Sequence, residues 1–218
     1  MKKLLIFDLD GTLLNTLQDL ANAVNYALES FHYETKSLEH VRKSIGNGVA
    51  VLISRCIENG FENPHYDEVL KTFRNYYSNH YLDNTLPYKN MRDTLLKLKE
   101  NGYLLAVVTN KINSISNGLI NHFFPGIFSI VQGDVKEMKK KPDREMVDYV
   151  LNNLGIKKEE ALYIGDTNVD YETAKNAEMD ALLVTYGFRN HQEMESYHIK
   201  CDRIDSIEEI LDYLTKNY

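Results

Sequence analysis

Asp8 and Asp10 stand two residues apart, directly after the short apolar run Leu4-Leu5-Ile6-Phe7. On an extended chain that spacing sends both side chains from one face. Two carboxylates so placed repel each other unless a cation or a shared proton intervenes. A charge-dense, oxygen-rich site suits Mg²⁺, which often takes one or two protein carboxylates together with substrate phosphate. Gly11 lets the chain turn sharply just beyond them, because it has no Cβ to clash at positive φ. Taken alone, the two aspartates also fit a plainer role: ending a strand and capping the next helix.

Three further polar stations follow apolar runs or open helices. Thr109-Asn110 follows the strand-like stretch Tyr103 to Val108, and Gly165-Asp166 follows Ala161 to Ile164. Asp170 comes four residues after Asp166, and Lys141-Pro142 precedes a helical pattern. Each station has a bland reading by itself. Thr-Asn is a common strand-to-turn ending, a single Lys before Pro carries no message, and Asp170 could simply complement a helix N-terminus. Their order is what matters. In open α/β sheets, ligands bind outside the carboxyl ends of the strands; Asp8 and Asp10, Thr109 and Asn110, and Asp166 follow three such strands, with Lys141-Pro142 before a helix between the last two.

The elements that must position them can be read from periodicity. After Asn15, apolar residues recur at helical spacing through Leu17, Leu20, Ala21, Val24, Leu28 and Phe31, with Thr16 as the expected N-cap. A second helix is expected through Val49, Leu52, Ile53, Cys56 and Ile57, and a third through Val69, Leu70, Phe73, Tyr76, Tyr77 and Tyr81. From Thr85 onward strands and helices alternate. Helices are expected around Leu95, Leu119, Val150 and Ala174, and strands over Tyr103–Val108, Ile127–Val131, Ala161–Ile164 and Ala181–Thr185. Ser206 and Glu209 read as a capping box for a last helix. Such alternation implies right-handed crossovers and a parallel sheet covered on both faces. The expected fold is therefore α/β, a doubly wound parallel sheet. An all-helical domain (15–83) is inserted after the first strand, leaving 1–14 and 84–218 as the core.

Composition narrows the class. The chain has 218 residues and a formal net charge of -7, which disfavours nucleic acid as the main partner. Lys139-Lys140-Lys141 is too short a run to alter that. The two cysteines, Cys56 and Cys201, form no Cys-x-x-Cys pattern, so a reducing cytoplasm is expected. Met1-Lys2-Lys3 and the apolar run after it end at Asp8, too soon for a signal peptide. No later run reaches membrane-spanning length.

Asp8-Leu9-Asp10-Gly11-Thr12, Val108-Thr109-Asn110, Lys141-Pro142 and Gly165-Asp166-Thr167-Asn168-Val169-Asp170 together resemble the four motifs of the haloacid-dehalogenase superfamily with a helical cap. The resemblance implies that Asp8 is the nucleophile that takes a phosphoryl group, and that Asp10 is the general acid and base. It implies phosphate binding by Thr109, Asn110 and Lys141, and a Mg²⁺ ion held by Asp8, the main-chain carbonyl of Asp10 and Asp166. Preorganised donors of that kind contribute about 3–4 kcal/mol each in a transition state. Asp170 and Thr12 are supporting residues under this reading. Asp170 would hold a metal-bound water or orient Lys141, and Thr12 would touch phosphate or brace the turn.

The stretch Ser44-Ile45-Gly46-Asn47-Gly48-Val49 could offer backbone N–H groups to a small anion such as a substrate carboxylate, or could be an ordinary turn between helices. Together with Phe73, Tyr76-Tyr77, His80 and Thr85-Leu86-Pro87-Tyr88 it resembles the phosphoglycolate phosphatases of the superfamily. Asn15-Thr16 and Lys89-Asn90 depart from that subfamily's usual Asp-Ser and Pro-Gly. The expected function is Mg²⁺-dependent hydrolysis of a small phosphomonoester, 2-phosphoglycolate first. The alternatives are a pyrophosphatase or other phosphatase of the family, a β-phosphoglucomutase-like mutase, and a catalytically silent binding protein. A monomer or small homo-oligomer is expected, with hinges near Asn15-Thr16 and Asp83 to Pro87.

Overall fold

The computed structural model describes residues 1–218, and the chain divides into two compact units. One is Met1–Leu14 with Pro87–Tyr218; the other is Asn15–Leu86.

The first unit is built on a six-stranded sheet: β1 (Leu4–Phe7), β2 (Leu104–Ile112), β3 (Ile130–Asp134), β4 (Ala161–Gly165), β5 (Asp180–Val184) and β6 (Asp202–Ile204). The strand order is β3-β2-β1-β4-β5-β6 and every pairing is parallel. The order reverses at β1, which pairs Leu4 with Leu104 on one side and with Ala161 on the other. A crevice at that reversal is where such sheets bind ligands. All four β1 residues are fully buried, as a central strand covered on both faces requires. Alternation sends Leu4 and Ile6 to one face, where they pack with Val108, Met146, Val147, Val150 and Tyr163. Phe7 points to the other and meets Phe128 edge-on, with ring centroids 6.2 Å apart.

The helical unit holds α1 (Leu17–Glu29), α2 (Leu38–Ser44), α3 (Val49–Cys56) and α4 (Tyr66–His80). Asp19 is buried on α1, and its carboxylate accepts hydrogen bonds from Asn84 N and Nδ2 and from Thr85 N and Oγ1, all between 2.8 and 3.0 Å. This ties the end of the unit to its first helix. Tyr76 stacks between Tyr26 and His80, and Tyr77 is buried against Phe73. These aromatics pack, as expected of rings at helical spacing.

The remaining helices lie in the first unit: α5 (Met91–Glu100), α6 (Asn113–Phe123), α7 (Glu145–Leu154), α8 (Asn168–Asn176), α9 (His191–Ser196) and α10 (Ile210–Asn217). Three elements escape the periodicity. Helix α2 is seven residues long and buries only Val41 and Ser44, so it carries almost no apolar stripe; Ser37 Oγ caps it from His40 N. Helix α9 and the three-residue edge strand β6 are shorter than the windows in which periodicity is visible. Two caps also differ from expectation. Thr16 occupies the N-cap of α1 without a side-chain capping bond, and Asn15 Oδ1 accepts from Leu17 N instead. Ser206 accepts from Glu208 N and opens a short 3₁₀ turn (Ile207–Glu209) ahead of α10, so the expected box with Glu209 does not form. No helix is long and apolar enough to cross a membrane.

Candidate active site

Asp8 lies just past β1, and its main-chain N–H still donates to Ile164 O of β4, which holds it at the sheet's carboxyl edge. Asp166 and Asp170 follow β4. One carboxylate oxygen of each of Asp8, Asp166 and Asp170 lies within 4.8 Å of the other two, and all three residues are buried. Lys141 Nζ enters the same cluster, 2.7 Å from Asp170 Oδ1 and 2.9 Å from Asp8 Oδ1. Apart from its ion pair with that ammonium, Asp8 Oδ1 has no partner although it is buried.

The partners of the other carboxylates are specific. Asp166 Oδ1 accepts from Thr12 Oγ1 at 3.1 Å, and its Oδ2 accepts from Phe188 N at 2.6 Å. Asp170 Oδ2 accepts from Asp166 N, Thr167 N and Thr167 Oγ1, which completes the capping box of α8, while Oδ1 takes the Lys141 ammonium. So Asp170 both caps a helix and orients Lys141, and Thr12 braces Asp166. Asn110 spends its side chain on the Lys141 main chain: Nδ2 donates to Lys141 O at 3.0 Å, and Oδ1 accepts from Lys141 N at 2.8 Å. Thr109 is buried beside it on β2. Gly11 has φ +82, and a Cβ there would run into the Asp166 carboxylate. A side chain at that position is excluded twice, by backbone conformation and by space.

Electrostatics define what the cluster lacks. Three buried carboxylates face one buried ammonium. Burial raises the Asp8 pKa to about 7; Lys141 pulls it down, and the Asp170 and Asp10 charges push it up. Burial, then Asp170 and Asp8, hold Asp166 well above the usual carboxylate range. Burial opposes the Lys141 ammonium, but Asp170 and Asp8 outweigh it and keep its pKa well above that of an ordinary lysine. Without a further cation, protons must supply the missing positive charge. The oxygen-only donor set, with Asp8 Oδ1 unsatisfied, fits a hard divalent cation. Both oxygens of Asp170 and both of Asp166 already accept hydrogen bonds, the latter only from the neutral donors Thr12 Oγ1 and Phe188 N, and Asp8 Oδ1 accepts none.

Asp10 points elsewhere. Its carboxylate meets Lys111, whose Nζ donates to Oδ1 at 2.9 Å and to Oδ2 at 3.2 Å. Lys111 is a residue the motifs did not single out, yet it directly follows Thr109-Asn110. Phe188 also went unread, because it contributes only a main-chain N–H; the loop after β5 brings it to the same edge. Tyr186, from that loop, donates its hydroxyl to Thr12 O at 3.0 Å, and its ring tilts against Tyr88.

Gly46 and Asn47 belong to the helical unit, between α2 and α3. Arg55 braces the turn, with Nη1 donating to Ser44 O and Nη2 to Asn47 Oδ1, both at 2.9 Å. Gly48, with φ 85, occupies the N-cap of α3. His80 pairs with Asp83 at 2.8 Å and stacks on Tyr76, a packing role at the helix end.

The family model of the haloacid dehalogenase-like hydrolases matches residues 5–184. The phosphoglycolate phosphatase of Psychrobacter arcticus is 33% identical over 225 residues, spanning 100% of this chain and 97% of its own length. That of Vibrio cholerae is 36% identical over 200 residues, covering 88% and 87%. A crystal structure from Lactobacillus delbrueckii subsp. bulgaricus, described as a candidate phosphoglycolate phosphatase, superposes with a TM-score of 0.92 at 30% identity, covering 98% of this chain and 99% of the other.

Proposed function

The chain belongs to the haloacid dehalogenase-like hydrolases, and on that premise we propose that it hydrolyses a small phosphomonoester, 2-phosphoglycolate, with Mg²⁺ as cofactor. The observation that carries this reading is Asp8 Oδ1: a buried carboxylate oxygen with no hydrogen bond, beside Asp166 and an ammonium. Such an oxygen is available both to a cation and to an electrophilic phosphorus.

In this reading Asp8 attacks phosphorus and forms an aspartyl-phosphate, while Asp10 gives a proton to the departing alcohol oxygen. Asp10, now a carboxylate, takes a proton from water as that water attacks the phosphorus, and inorganic phosphate leaves with Asp8 restored. Lys141 and Thr109, with the main-chain N–H of Asn110, stabilise the phosphoryl oxygens, and Asp170 keeps the Lys141 ammonium aimed. Asp8, the main-chain carbonyl of Asp10 and Asp166 would hold Mg²⁺, which supplies charge neutralisation for the phosphoryl group. The helical insert serves as the cap that selects substrate, with Gly46 and Asn47 offering main-chain donors to a carboxylate. The names of the relatives support 2-phosphoglycolate as the substrate. Phosphate release from a panel of phosphate esters in Mg²⁺ tests it: kcat/KM is expected to be highest on 2-phosphoglycolate, and higher efficiency on pyrophosphate would overturn that choice.

The cofactor assignment has a pH signature. Burial, outweighing the pull of Lys141, pushes the Asp8 carboxyl from its ordinary 3.8 up to about 7. The proton it gains on folding therefore stabilises the protein fully below the ordinary value, and that contribution is lost as pH rises through about 7. Mg²⁺ must displace that proton, so it binds better at the alkaline side. Addition of Mg²⁺ should raise the melting temperature more at pH 8 than at pH 5.5. A shift that is equal at both pH values, or absent at pH 8, would contradict Mg²⁺ ligation by Asp8.

A further inference from the structure

We infer that Lys111 is a positioning residue for Asp10, holding the proton-transferring carboxylate in one orientation; this rests on the role given to Asp10 above. The Lys111 side chain is 2% exposed, an unusual state for a lysine unless it is paired. Its Nζ spans both oxygens of Asp10, at 2.9 and 3.2 Å, so it fixes the plane of the carboxylate as well as its distance. Asp10 itself keeps 15% of its side chain exposed, enough to reach a leaving group.

The local backbone is arranged for this contact. The β2–β3 register shifts between Val108 and Ile112, and Lys111 lies inside that irregular stretch. Its carbonyl accepts from Ser116 Oγ at 3.3 Å and its N–H donates to Thr109 Oγ1 at 3.4 Å, so the main chain is held on both sides. Gly133 on β3 makes the approach close: a Cβ there would press on Lys111 O. The two site lysines divide the work. Lys141 serves Asp8 and Asp170, and Lys111 serves Asp10.

Rate suffers sharply when a catalytic group is displaced by even about 1 Å, by on the order of 10²-fold. Steady-state hydrolysis of 2-phosphoglycolate in Mg²⁺, measured on the whole protein, separates positioning from substrate contact. Lys111→Met should lower kcat by on the order of 10²-fold with KM changed by less than about threefold, and Lys111→Arg should recover about tenfold of that loss. In an Asp10→Asn background, Lys111→Met should cost nothing further, because its partner's function is already gone. A rise in KM with kcat kept would overturn the inference in favour of direct substrate contact. So would a Lys111→Met loss that multiplies the Asp10→Asn loss. Full activity of Asp10→Asn would instead remove the role of Asp10, and that of Lys111 with it. Circular dichroism and melting temperature verify folding; if Lys111→Met does not fold, Lys111→Gln replaces it with the same expected kcat loss, and its kcat remaining at the parent level would likewise overturn the inference.

Discussion

Asp8→Asn should eliminate phosphate release, with kcat falling by on the order of 10⁴-fold or more, as when a covalent nucleophile is removed. The substitution keeps shape and volume. It replaces the one buried carboxylate oxygen at the site that receives no hydrogen bond and removes the charge that pairs with Lys141. The fold should survive well. Asp8 is buried and its pKa is raised to about 7, so the neutral amide costs little compared with a carboxylate that already resists ionisation. Parent-like melting in metal-free buffer together with absent turnover is the expected pair of results. Weak Mg²⁺ stabilisation at pH 8 should accompany them. Turnover above about one hundredth of the parent rate would remove Asp8 from the nucleophile role.

Lys141→Met should damage both stability and rate. The ammonium lies 2.7 Å from Asp170 Oδ1 and 2.9 Å from Asp8 Oδ1, with a side chain only 1% exposed. Removing it leaves Asp8, Asp166 and Asp170 facing one another with no buried cation. Breaking a buried pair by deleting one partner costs roughly 3–5 kcal/mol. The sign of the pH dependence follows. At low pH Asp8 and Asp166, both raised by burial, are protonated and miss the lysine less; as pH rises they must ionise beside one another, so the deficit grows. Denaturation at pH 5.5 and pH 8 should show the larger loss at pH 8. Catalysis should fall by 10² to 10³-fold, about what loss of one preorganised donor costs. Mg²⁺ should recover part of the stability and little of the rate. A variant as stable as the parent at pH 8 would mean that the cluster does not depend on this ammonium.

Much of this arrangement was legible from residue types at strand ends. Asp8, Thr109 and Asp166 announce themselves because polar residues end apolar runs, and an open parallel sheet gathers such endings at one edge; Lys141, last of a lysine run before Pro142, gains meaning only from their company. The sheet reads from β1, whose four residues are apolar because both its faces are covered. What could not be read is assembled by tertiary contact. Thr12 is a hydroxyl in a turn, and only the fold brings it to Asp166. The two roles of Asp170, helix cap and lysine partner, look alike in sequence. Phe188 acts through a main-chain N–H, which no side-chain pattern encodes. Lys111 was the nearest miss, one residue past a motif, and it went unread because lysines after strands are usually solvated. Helix α2 and strand β6 were too short for their periodicity to be visible.

The central claim is that phosphorus is transferred to Asp8 itself. Rapid acid quench of the protein during turnover of 2-phosphoglycolate in Mg²⁺, followed by peptide mass spectrometry, tests it directly. The expected result is one phosphoryl group on the peptide that carries Asp8, lost on alkaline treatment and absent when the metal is chelated. Phosphate release at full rate with the phosphoryl group on another residue, or on none at any quench time, would contradict it.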